Sequence, residues 1–329
     1  GNQLSLKFSK EIARGGKHKR RAAQIELQKS QMAFENVKRE LTAEVKSAFF
    51  SVLYGQERMS LAEGDLQTAK QQEDIAQVRF NIGDVPETEL NSARLRVKTA
   101  EEEKESIGRE LRLAQNSLNT LLGRPAETEL IAEGKLNPLE LNLDVERRID
   151  NFVSNPLKLI KSVEQHPSIK AMKLERDRIL EELSLAKAKR LPSPTFSLLY
   201  ERDVRENLFG GGVGFPLPLF DRNQGEIKDA VATEKVKSSE IEGQKLDITE
   251  KLWDALTSLR SAERTIELTK SAIAIAEGNL KSVKRSCELG ERGLVDVIDA
   301  QDKLLLLKKT YLKASFDYNE AFIAIERWD

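Results

Sequence analysis

The sequence predicts a mainly α-helical protein of long coiled-coil helical hairpins, with a small number of β-strands and an internal duplication. Three observations carry this. Apolar residues alternate in steps of four and three over runs longer than ordinary globular helices. Each long run is broken once, by a glycine-containing turn, and then resumes. The pattern also occurs twice at a fixed offset: Gly83 and Gly290 stand 207 residues apart (290 − 83), as do Leu41 and Ile248, Ala93 and Ala300, Phe8 and Phe215.

In chain order, the first element is a strand within 1–12, where Leu4, Leu6 and Phe8 alternate. The first hairpin occupies 13–122. Its seam reads Leu41, Val45, Ala48, Val52, Gly55, Met59, Ala62, Leu66, Ala69, Glu73, Ala76 and Phe80. After the turn "FNIGDVPETEL" it continues with Leu90, Ala93, Val97, Ala100, Lys104, Ile107, Leu111, Ala114, Leu118 and Leu121. A helix from residue 22 to 80 would run on the order of 90 Å. Such helices cannot bury both faces alone and must pack in an array. A Pro- and Asn-rich linker at 123–167 reads as short helices and irregular structure. An opening helix of the second repeat follows at 168–192. The strand hairpin at 193–220 comes next, with Phe196, Leu198 and Tyr200 on one side and Val213, Phe215, Leu217 and Leu219 on one side. Pro216 and Pro218 place the second strand at a sheet edge or strand end. The second hairpin fills 221–329. Its seam runs Ile248, Leu252, Ala255, Leu259, Ala262, Ile266, Thr269, Ile273, Ala276, Leu280, Val283, Cys287, then Leu304, Leu307, Tyr311, Ala314, Tyr318, Ala321 and Ile325. A 3.5-residue period means left-handed supercoiling.

Composition narrows the function. With 53 basic and 54 acidic residues among 329, nothing favours nucleic acid. The basic run "GGKHKRR" at 15–21 reads as a solvated face. The single cysteine, Cys287, excludes an internal disulfide, and its place in the seam suits a small apolar role. No apolar run approaches the ~18 residues of a spanning helix. No signal peptide is visible, and the opening Gly1 reads as a cloning remnant, which is compatible with a removed leader. The two histidines, His18 and His166, have no metal-ligand spacing to each other or to Cys287, so neither a metal site nor a cofactor is expected. "GGGVG" at 210–214 opens no helix and is no phosphate loop. No nucleophile–base pattern appears, so no catalytic residue and no enzyme is expected.

Several stretches resemble one family. Two repeats with long coiled hairpins look like the outer-membrane efflux factors of the TolC type. "GERGLVDVIDAQ" (290–301) resembles that family's hairpin tip, and "HPSIKAM" (166–172) the start of its second repeat. "GFPLPLFDRNQGEI" (214–227) and "LSLKFSKEIARGGKHKRR" (4–21) are similar to the junctions of its heavy-metal, CzcC-like subgroup. The resemblance implies an α-barrel in the periplasm and strands given to a trimeric membrane β-barrel, in the bacterial outer membrane. It implies a homotrimer in outer-membrane lipid, docked to a periplasmic adaptor (membrane fusion) protein and an inner-membrane pump, exporting metal cations or other small toxic solutes. By that resemblance the first repeat here lacks its opening helix and first strand. Three copies would then give nine strands rather than twelve. The competing reading is a non-transport coiled-coil structural or adaptor protein; two hairpins and a duplication favour the conduit.

Two groups of residues follow. The tips, Gly83, Asp84 and Val85 with Gly290, Arg292, Gly293 and Leu294, are expected to expose apolar groups to the adaptor; a plain solvated turn is the alternative. Asp296 and Asp299 are three apart on one helix face. The resemblance places them, with Glu89 of the first repeat, at a periplasmic gate, where close like charges attract cations. The alternative is carboxylates favoured by a helix N-terminus.

Overall fold

The computed structural model describes residues 4–11, 15–137, 156–191, 193–202, 207–215 and 222–328. In chain order these form β1 (Leu4–Glu11), α1 (Gly16–Asn81), α2 (Glu87–Leu121), α3 (Pro156–Gln165), α4 (Pro167–Ala188), β2 (Thr195–Arg202), β3 (Asn207–Gly214), α5 (Gln224–Glu288) and α6 (Leu294–Trp328). The duplication shows in the boundaries. Moved by 207 residues, α2 coincides with α6, and the end of α1 with the end of α5. The chain divides into one unit of residues 1–37 and 159–248 and a second of 38–158 and 249–329.

In the first unit, three strands form an antiparallel sheet in the order β1-β2-β3. The register pairs Leu6 with Tyr200 and Tyr200 with Phe209, and pairs Phe8 with Leu198. Because side chains alternate across a strand, these residues share one face with Phe196 and Val213. That face is apolar yet exposed: Phe8 is 64% and Phe209 79% accessible. The opposite face carries Ser5, Lys7, Ser9, Ser197 and Glu201, together with Leu199, Leu208 and the glycines Gly210 and Gly212 of β3. The second strand of the expected 193–220 hairpin begins at Asn207, because Leu208 and Phe209 extend the ladder ahead of the glycine run. The continuation through Pro216, Leu217, Pro218 and Leu219 lies outside the described residues.

Helices α3 and α4 of this unit run antiparallel to α5. Asn223 Nδ2 donates to Ala186 O (3.0 Å), and Lys245 meets Glu164 (3.7 Å). His166 heads α4, its Nδ1 accepting the Ser168 N–H at 3.2 Å. Against α1 the contact is ionic. Glu175 takes Lys29 (2.8 Å) and Arg178 (2.8 Å), while Glu181 takes His18 (2.7 Å). The two cations hold the Glu175 carboxyl at about 2: the Arg178 hydrogen bond is the largest influence, and burial opposes it.

The second unit holds most of the coiled seams. Every seam position of α5 and α6 in this unit is buried or half-buried, from Leu252 (0%) to Ile325 (3%). In α1 and α2 the same holds from Val45 to Ala76 and from Leu90 to Leu121, including the charged exceptions Glu73 and Lys104. The two ends depart from expectation: Leu41 is 47% and Phe80 37% accessible. Of the linker, 123–137 is an irregular strap, α3 supplies a short helix, and 138–155 lie outside the described residues. Amide side chains stitch the strap down. Gln56 exchanges two bonds with Ala132 (3.1 and 3.3 Å), and Asn119 Nδ2 donates to Ala126 O and Thr128 O. Beneath them Leu130, Ala132 and Leu136 join Phe50, Val52, Leu53, Leu118 and Ile323 in one core.

Candidate functional site at the hairpin tips

Both tips lie in the second unit and use one turn. The N–H of Gly83 returns to Phe80 O (2.9 Å) and that of Asp84 to Arg79 O (2.9 Å). In the duplicate, Gly290 returns to Cys287 O (3.1 Å) and Glu291 to Ser286 O (2.9 Å). These bonds satisfy the last carbonyls of each helix and need a left-handed residue after it. Gly83 (φ 77°) and Gly290 (φ 75°) provide it. A Cβ at either would meet nothing within 4 Å, so backbone conformation and not space demands glycine here.

Behind the turns the two hairpins share a core. Ala76, Leu90 and Ala93 of the first pack with Leu280, Val283, Leu294, Val297, Ala300 and Leu304 of the second, and half-buried Cys287 lies against them. The expectation that Val85 and Leu294 are displayed is therefore corrected. Val85 is 7% and Leu294 3% accessible, because each is the residue whose burial fixes the chain's entry into the next helix. The exposed apolar groups are Ile82 (74%) and Leu289 (67%), themselves 207 residues apart. Each immediately precedes the left-handed glycine, where the helix ends and a side chain has no neighbour to cover it. The seam spacing skips both positions, a signal sequence reasoning passed over. Asp84, Arg292 and Asp299 are exposed, and Gly293 is half-exposed.

The three gate candidates have distinct surroundings. Asp296 Oδ2 accepts the N–H of Gly293 at 3.1 Å, closing the first turn of α6. Asp299 faces Lys303 one turn on (2.6 Å), and both are exposed. Glu89, the counterpart of Asp296, lies 3.8 Å from Arg79, and its Oε1 is buried without a hydrogen bond. Arg79 is chiefly engaged with Asp84 (2.6 Å), which raises its pKa. The structure thus gathers Glu89 with the first tip and Asp296 with the second, and among the described residues it pairs Asp299 with Lys303 of its own helix.

One polar cluster was not read from the sequence. Arg96 of α2 donates to Asp65 of α1 (2.6 Å) and to Asp302 of α6 (2.9 Å), bridging the hairpins. Burial works against its charge, but Asp65 and Asp302 outweigh it, and the pKa is raised. Neither spacing nor residue type could pair Arg96 with a residue 206 positions on. Among the described residues, no three His, Cys, Asp or Glu side chains group to hold a metal ion, and no helix is long and apolar enough to cross a membrane.

Comparison with known proteins follows this geometry. The chain is 28% identical to the cobalt-zinc-cadmium resistance protein CzcC of Cupriavidus metallidurans over 96% of its own length and 74% of that protein's. It is 24% identical to nodulation protein T of Rhizobium leguminosarum bv. trifolii, covering 92% of this chain and 64% of that one. Among solved structures it superposes on CusC with a TM-score of 0.83 at 17% identity, covering 98% of this chain and 76% of CusC. That likeness shows the shared fold of long hairpins and few strands. The profile of outer membrane efflux proteins matches residues 2–124 and 160–328. A match that takes in both repeats and omits only the stretch between them follows the duplication itself, and the chain therefore belongs to the outer membrane efflux protein family, a component of transport and not an enzyme.

Proposed function

We propose that this protein acts as a homotrimeric outer-membrane conduit that passes divalent metal cations. Its hairpins project into the periplasm, toward a periplasmic adaptor protein linked to an inner-membrane pump. The observation that carries the reading is the sheet of the first unit. An exposed apolar face built from Leu6, Phe8, Leu198, Phe209 and Val213 suits lipid, and the more polar reverse, where Ser5, Lys7, Ser9, Ser197, Glu201 and the glycines stand beside Leu199 and Leu208, suits water. Closing such strands with those of other copies leaves no bare edge in the membrane. The metal reading is supported by similarity to a protein named for cobalt, zinc and cadmium resistance. A channel that passes such ions has no need of a tight site of its own.

In this reading the tips Gly83, Asp84, Val85, Gly290, Arg292, Gly293 and Leu294 form the adaptor-docking turns. Val85 and Leu294 hold the shape from beneath, and Ile82 and Leu289 supply the contact. Glu89, Asp296 and Asp299 form the periplasmic gate. The test is disruption of the gene in its host, with growth scored against graded cobalt, zinc and cadmium and against an organic toxicant. Lower tolerance to the metals alone, restored by the intact gene, supports the reading. Unchanged metal tolerance overturns the substrate assignment.

A further inference from the structure

All three connections between the sheet and the helices leave from one end of the sheet. The register aligns Glu11, the end of β1, with Thr195, the start of β2, and Thr195 with Gly214, the end of β3. The helix ends they lead to are held together. Gly15, just ahead of α1, lies so close to α4 that a Cβ there would run into Leu185. On the side of α5, Asn223 Nδ2 donates to Ala186 O (3.0 Å) and Lys189 meets Glu226 (3.1 Å). The sheet therefore stands on a base made of the start of α1, the end of α4 and the start of α5.

That base is cationic on its surface. Lys17, Lys19 and Arg20 at the start of α1, Lys187 in the last turn of α4 and Arg190 just past it are all exposed. Among the described residues, none of the five meets a carboxylate. The neighbouring acids are engaged: Glu181 with His18 and Arg21, and Glu226 with Lys189 and Asn223. The sheet adds a sixth cation. Lys10 pairs in register with Phe196, so it shares the apolar face with Phe8 and Phe196, at the end nearest the base, and it is exposed. The apolar stripe thus ends in a charge where strand gives way to helix. A lysine placed so lays its stem on apolar surface and carries its ammonium to the level of lipid headgroups.

We propose that Lys10, Lys17, Lys19, Arg20, Lys187 and Arg190 form a collar that binds anionic phospholipid headgroups of the leaflet facing the periplasm. The inference rests on the outer-membrane reading and adds a ligand to it. The phosphodiester of such a lipid offers acceptor oxygens to ammonium and guanidinium groups, and its net charge is not offset by a cation of its own. A zwitterionic headgroup carries that cation and gains little. Each lysine or arginine within a Debye length of an anionic surface is worth about fivefold in affinity. The basic run at the start of α1 is, on this account, more than a solvated face.

The test is the lipid selectivity of the full-length protein in phosphatidylcholine bilayers doped with spin-labelled lipid. The label immobilised by the protein is compared between phosphatidylglycerol and phosphatidylcholine of the same chains. At about 0.1 M salt the intact protein should prefer phosphatidylglycerol by at least about fivefold. With Lys10→Gln, Lys19→Gln and Lys187→Gln together, the preference should fall below about twofold, and arginine at the same three sites should keep it. Removing the same charge from the second unit, with Lys270→Gln, Lys281→Gln and Lys284→Gln at exposed positions of α5, should leave it unchanged. Equal immobilisation of both lipids by the intact protein overturns the proposal, as does a preference that the collar variant retains. A preference abolished by a few millimolar inorganic phosphate at constant ionic strength assigns the cations to free phosphate and overturns it too. A protein that enters no bilayer overturns the outer-membrane reading itself, and the collar falls with it.

Discussion

Replacing Arg96 with methionine keeps the stem of the side chain and removes the guanidinium that joins the hairpins. Two carboxylates lose their partner, but unequally. The Asp65 side chain is 4% accessible and the Asp302 side chain 48%. Water can take over Asp302, so its share is of the surface kind, below ~1 kcal/mol. Asp65 stays buried as an uncompensated charge, which costs about 3–5 kcal/mol. We therefore expect Arg96→Met to destabilise the region by about 3 kcal/mol, Asp302→Asn by less than about 1, and Arg96→Met with Asp65→Leu to recover most of the loss. The assay is native-state hydrogen exchange at α2 amides around Val97, which reads local opening directly. A loss of about 3 kcal/mol corresponds to roughly a hundredfold faster exchange. If Arg96→Met exchanges no faster than Asp302→Asn, Asp65 is reached by water and the clamp is a surface contact.

Two further predictions concern the ends of the hairpins. Ile82→Asp with Leu289→Asp should weaken adaptor binding by about tenfold or more while the hairpins stay folded, because both side chains are exposed and pack on nothing; unchanged binding in a pull-down with purified adaptor counts against the docking reading. At the α1–α4 contact, Glu175 has its pKa lowered to about 2, so its contribution is present above the ordinary carboxylate range and is lost as pH falls from about 4 through about 2. Glu175→Gln should cost about 1–2 kcal/mol at neutral pH and almost nothing near pH 2 by thermal melting; an equal cost at both pH values would remove the charge from the explanation.

What the sequence showed depended on how local the cause was. The seams from Val45 to Ala76 and from Leu252 to Val283 were legible because one helix fixes its own 3.5-residue period. The tips were legible because a left-handed residue must end each helix, and glycine marks it. The extra residues of β3 were not: Leu208 and Phe209 join the strand through pairing with Glu201 and Tyr200, and the following glycines carry no alternation to read. Inward placement of Leu294 depends on the core shared by both hairpins, which no single hairpin's pattern contains. The clamp of Asp65, Arg96 and Asp302 needs three helices in register before it exists.

The duplicated tips also begin their second helices differently, and this decides how the gate can be tested. At the second tip, Gly293 keeps its N–H, and Asp296 accepts it at 3.1 Å. At the first, the cap position is Pro86, which has no N–H to give, so Glu89 is left beside Arg79 instead. Asp296 therefore has two possible tasks, a hydrogen bond that starts α6 and a charge at the mouth, and alanine would abolish both together. Asparagine separates them: its carbonyl oxygen can still accept from Gly293, while the charge is gone. Asp296→Ala should destabilise the start of α6 by about 0.5–2 kcal/mol, and Asp296→Asn by much less. If Asp296 belongs to the gate, both variants should weaken block by divalent cations to the same degree, and both should raise conductance in a planar bilayer with the assembled full-length protein. If only Asp296→Ala alters the channel, in step with the loss of helix order, the carboxylate is a cap. The gate would then rest on Asp299, whose exposed pairing with Lys303 already offsets much of its charge.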